Sequence, residues 1–154
     1  MMSNAAESLR RQVHLAARHL DDGDYTSFLN LFTDQGEYRV EAQAPELAQP
    51  MTWMHMARDE LGERCAQLSR QQWQIADYHQ TRLLSLDIAD IEGDQAHTST
   101  GFVIYQTDQQ GRSECYAVGR YEDEWRTESG HWKLDSRCVQ LKTRLLSPMS
   151  PLPL

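Results

Sequence analysis

Six histidines (His14, His19, His55, His79, His97 and His131) and three cysteines (Cys65, Cys115 and Cys138) have the widest chemical repertoire in this 154-residue sequence. A metal site built from them needs close pairs, either two histidines four apart on a helix or a Cys-x-x-Cys. Neither occurs, and His14 and His19, five apart on a predicted helix, point in different directions. Iron–sulfur ligation needs thiolates or histidines in close pairs, which are missing too. No serine sits in a Gly-x-Ser-x-Gly elbow. Cys65 and Cys138 fall on apolar stripes, where a buried structural thiol is expected. The 8 glycines stand singly, mostly at turns, so no loop is built to cradle phosphate. The expectation is a chain that binds no metal or cofactor itself.

One catalytic arrangement survives. Helices wrapped over a curved sheet enclose a cone that can hold a small apolar ligand beside a buried acid or histidine. Asp77, Tyr78 and His79 precede the strand-rich half and can reach such a cavity. With His79 as general base, aided by Tyr38 or Asp77, the chain would be a stand-alone isomerase, dehydratase or cyclase needing no cofactor. The simpler reading is a polar seam between helix and sheet.

The hairpin "VGRYEDEWRTESGHWKLDSRCVQLKTRLL" (118–146) points elsewhere. Arg120, Glu122, Glu124 and Arg126 share one side of its first arm; Tyr121, Asp123 and Trp125 share the other. Exposed cross-strand ion pairs add little stability, so the charged side is either a solvated face or a protein interface. Arginine and aromatic side chains are over-represented at interfaces, where charge fixes register more than strength. Arg120, Trp125, Trp132, Arg137 and Arg144 are the expected contacts.

The elements that must position these residues follow from periodicity. Leu9, Val13, Ala16, Ala17 and Leu20 recur at helical spacing, with Ser3 or Asn4 able to cap. Asp24 caps a second helix whose Tyr25, Phe28, Leu29 and Phe32 share a face. "EYRVEAQ" (37–43) alternates like a strand, and a third helix spans roughly 57–69 after a loop bracketed by Pro45 and Pro50. From residue 78 the period is two, with Leu84, Leu86 and Ile88 on one side, and a long antiparallel meander is expected. In its last strand the apolar parity shifts between Leu134 and Val139, which predicts a β-bulge or sharp bend. The prolines of "SPMSPLPL" make residues 147–154 an extended tail. The expected class is α+β, a single domain over 1–154 with helices on one face of a curved antiparallel sheet.

A net charge of −8 with Lys only at 133 and 142 argues against nucleic acid. Apolar runs of four or five residues cannot span a membrane, and the first twenty residues lack a secretory core. An odd number of dispersed cysteines fits reduced thiols in the cytoplasm.

"FLNLFTDQGEYRV", "YHQTRLLSL", the final hairpin and the closing "PLPL" together resemble the small (β) subunit of bacterial aromatic-ring-hydroxylating dioxygenases. The hairpin is the most specific part, with its Tyr-x-Asp-x-Trp arm, turn, Trp-x-Leu arm and Arg-Leu-Leu. Where the family often has an Arg-His pair, this sequence reads Tyr78-His79-Gln80-Thr81-Arg82. The resemblance implies a cystatin-like, nuclear-transport-factor-like cone. It also implies assembly with a large (α) subunit, three of each, with self-contacts in a β trimer. The Rieske [2Fe-2S] cluster and mononuclear Fe(II) would then sit in the partner, and this chain would be structural. The length and ending imply a member acting on an aromatic carboxylate.

Overall fold

The computed structural model describes residues 4–71, 78–144, 146, 153 and 154. Ser3, Asp77, the Ile88 side chain and tail residues 147–152 lie outside the described residues. The chain runs α1 (Asn4–Asp21), α2 (Tyr25–Leu29), β1 (Phe32–Ala42), β2 (Met51–Ala57), α3 (Arg58–Arg70), β3 (His79–Glu92), β4 (Gln95–Thr107), β5 (Ser113–Glu128) and β6 (His131–Leu141).

Helix α1 buries the stripe its spacing predicts: Leu9, Val13, Ala16, Ala17 and Leu20. Asp24 caps α2 as expected, its carboxylate accepting from the Ser27 amide at 3.1 Å. That helix is shorter than its periodicity suggests. It stops at Leu29, and Phe32 opens β1 instead, because the Leu134 amide claims the Leu31 carbonyl at 2.7 Å and pulls the chain onto the sheet. Phe28 stays at the centre of the core, edge-on to Phe32 at 5.4 Å and to Tyr38 at 6.5 Å.

The strands form one sheet in the order β2-β1-β6-β5-β4-β3. Strand β2 was not expected, since "MTWMHMA" shows no clean alternation; it is an edge strand that is mostly exposed, with only Met56 buried. The sheet is also mixed rather than wholly antiparallel, because β1 runs parallel to β6. That pairing is possible only because the whole meander intervenes between the two strands. The predicted bulge is present: Glu124 faces Ser136 but Trp125 faces Leu134, leaving Asp135 as the extra residue on β6. Asp135 turns aside to take Thr33 Oγ1 at 2.8 Å and Arg126 Nη2 at 2.9 Å. At Gly119 a Cβ would run into the Gln140 carbonyl, so the close approach of β5 to β6 there requires glycine. The bulges bend the sheet around α1 and α2, and the concave face with its helices encloses the core.

Candidate functional site

The concave side of the sheet carries charge as well as apolar surface. On β3 the inward positions include Gln80 and Arg82, both buried. Arg82 donates from Nη1 to Asp21 Oδ1 at 2.7 Å, and its amide donates to Asp21 Oδ2 at 3.1 Å. A carboxylate at the C-terminal end of α1 opposes the helix dipole, and Arg82 offsets that while tying helix to sheet. Its Nε reaches Tyr121 Oη at 3.3 Å and Nη2 reaches Gln80 Oε1 at 3.2 Å. Burial draws the Arg82 pKa down, but Tyr121 and Asp21 outweigh it and hold the guanidinium charged.

A second buried cation lies behind the first. Arg137 grips Asp123 with Nε–Oδ1 at 2.9 Å and Nη2–Oδ2 at 3.0 Å, and sits 4.1 Å over the Tyr121 ring. Tyr121 stacks on Phe102 with ring centres 4.3 Å apart. Burial raises the Asp123 carboxyl above its ordinary range against the pull of Arg137, while the same contact keeps Arg137 charged. Tyr38 faces this group from β1, its phenol pushed up by burial. Trp125, also inward, donates to Thr98 Oγ1 at 2.8 Å.

The convex face bears a polar ladder across β3, β4 and β5. Arg120 joins Asp87 at 3.1 Å and Ser99 at 2.9 Å; Ser99 donates to Glu122 at 2.7 Å. His97 ends the ladder between Glu122 (2.9 Å) and Glu124 (2.8 Å). Partial burial pulls the His97 pKa down, but the bonds and charges of Glu124 and Glu122 raise it overall. Above this ladder Leu83 is 58% exposed and Tyr105 36% exposed. Arg144 meets Glu46 at 2.6 Å outside the sheet.

These positions sort the expected site residues. Arg120 and Arg144 lie at the surface, whereas Trp125, Trp132 and Arg137 are buried in the chain's own core. Alternation explains this, since Tyr121, Asp123 and Trp125 share the inward side. Of the catalytic alternative, His79 and Tyr38 are not brought together. His79 is exposed on the parity opposite to Gln80 and Arg82, Tyr38 is buried within the cone, and Asp77 lies outside the described residues. Arg82 and Asp21 escaped sequence reasoning, although Arg82 shares the inward parity of Gln80. Among the described residues no three His, Cys, Asp or Glu side chains converge as a metal-ligand set. No helix among them is long and apolar enough to cross a membrane.

Helices over a strongly bent six-stranded sheet, with an interior of buried arginines and tyrosines, define a cone-shaped α+β protein. The model of the SnoaL-like domain matches residues 2–138, and the chain belongs to that family. Two curated relatives bear out the resemblance read from the sequence. The hydroxylase subunit beta of methanesulfonate monooxygenase from Methylosulfonomonas methylovora is 28% identical over 160 residues, spanning 98% of this chain and 88% of that one. The beta subunit of 2-aminobenzenesulfonate 2,3-dioxygenase from an Alcaligenes species is 25% identical over 140 residues, spanning 90% and 92%. In fold, the chain matches a crystal structure described as the beta subunit of an aromatic-ring-hydroxylating dioxygenase from Novosphingobium aromaticivorans. The TM-score is 0.81 at 24% identity, with 97% of each chain covered.

Proposed function

We propose that this chain is the non-catalytic small (β) subunit of a ring-hydroxylating oxygenase. It assembles with a large (α) subunit that holds the Rieske cluster and mononuclear iron and oxidises an aromatic acid. The observation that carries this reading is similarity along nearly the whole chain to two proteins named as beta subunits of oxygenases. Both names specify sulfonates, so the acid group is a sulfonate or the carboxylate expected from the sequence. The stoichiometry is three α with three β, the small subunits touching one another, in the cytoplasm.

The convex face supplies the contact surface. Leu83 and Tyr105 are large apolar side chains left exposed beside a polar ladder, the mixture that protein interfaces favour. Arg120 anchors the ladder and Arg144 extends the surface beyond β6. The stand-alone enzyme reading needs His79 to face the cone, and its exposed position on β3 argues against that. The test is co-expression with the large subunit. Leu83→Asp combined with Arg144→Ala should reduce the complex recovered by gel filtration by at least tenfold, about 1.4 kcal/mol of association energy. The variant chain should keep its circular dichroism. Undiminished assembly would count against this surface.

A further inference from the structure

The interior of the cone is occupied by the chain itself. Pro153 and Leu154 are both buried, and their backbone is read atom by atom. The Leu154 amide donates to Tyr38 Oη at 2.9 Å, and the same hydroxyl donates to the Leu154 carbonyl oxygen at 3.3 Å. Arg82 Nη2 donates to the Pro153 carbonyl at 3.0 Å. These contacts bridge 116 residues of sequence at Tyr38 and 71 at Arg82, so they are tertiary rather than local. The pocket holds more donors than its occupant uses: among the described residues, Gln80 Nε2 and Arg137 Nη1 are buried without a hydrogen-bond partner. The side chain of Leu154 joins the apolar core.

We propose that the cone is a peptide-binding pocket and that Pro153–Leu154 is its built-in ligand. Tyr38 recognises a backbone amide by donating and accepting at one residue, Arg82 recognises the preceding carbonyl, and the apolar walls take the leucine side chain. Pro153 and Leu154 thus take up the places beside Arg82 and Tyr38 that a small ligand would need. This inference concerns the isolated chain and stands whether or not a large subunit binds the convex face.

The experiment deletes Pro153 and Leu154 and follows thermal unfolding with and without N-acetyl-Pro-Leu. The full-length chain should not respond to the peptide. The deleted chain should melt lower and recover with added peptide, and Arg82→Gln in the deleted chain should weaken that recovery about tenfold or more in peptide concentration. An unchanged melting temperature on deletion, or a deleted chain indifferent to the peptide, would overturn the proposal. Should the deleted chain fail to fold, amide exchange in the intact chain decides instead. The Leu154 N–H should exchange about a hundredfold more slowly than an unstructured amide and lose that protection in Tyr38→Phe. A fully unprotected Leu154 amide in the intact chain would overturn the proposal.

Discussion

Arg137 and Asp123 face each other on β6 and β5 as a fork-to-fork pair, 2.9 and 3.0 Å apart, with side chains 1% and 0% exposed. In the sequence Asp123 shares a side of its strand with Tyr121 and Trp125, and Arg137 was an expected interface contact. The fold turns them inward between Tyr121 and Trp125, where each is tolerable only because of the other.

Breaking that pair should be costly. Asp123→Asn or Arg137→Met leaves the remaining partner without its counter-charge in the core, and either should destabilise the chain by about 3–5 kcal/mol in urea unfolding. The double variant Asp123→Asn with Arg137→Met should lose less than the two single losses combined. Additive losses would mean that the residues do not act as a pair.

The fold was legible wherever one face of an element is simply apolar. The α1 stripe, the Asp24 cap and the β6 bulge all follow from period and parity. Strand β2 and the parallel β1–β6 pairing were not legible, since β2 is mostly exposed and buries no alternating face, and no local pattern specifies which distant strand pairs with β1. The interior of the cone was the hardest to read. Arg82, Asp123 and Arg137 look like surface charges by type, and only their inward parity marks them otherwise.

His97 should make stability depend on pH in one direction. Its folded pKa lies above the unfolded value because Glu124 and Glu122 outweigh the effect of burial. The stabilisation is therefore complete below about pH 6.5, the unfolded value, and fades as pH rises through the folded one. Compared with His97→Gln, the native chain should show a larger melting-temperature advantage at about pH 6 than at about pH 9. A gap that stays constant or widens toward alkaline pH would contradict the clamp.

The three thiols should separate by reactivity. Cys115 is exposed, while burial pushes the Cys65 and Cys138 thiols up to about 11. Titration of the native protein with Ellman's reagent at about pH 8 should modify Cys115 promptly and the other two only on unfolding. Prompt loss of all three thiols would show that the sheet opens readily.

The turn between β5 and β6 offers a stabilising change. Ser129 holds φ at 51° and Gly130 at 79°, the two-residue loop that favours Asn-Gly. Ser129→Asn should raise stability by about 0.5 kcal/mol or more in urea unfolding. A loss would mean that the serine side chain has a role the turn geometry does not require.

The most direct test of the subunit reading is the iron content and visible spectrum of what co-purifies with the tagged chain from its native host grown on aromatic acids. The expected result is a coloured complex containing a larger second chain, with iron and the absorption of an iron–sulfur centre. A colourless, iron-free assembly of this chain alone would contradict it.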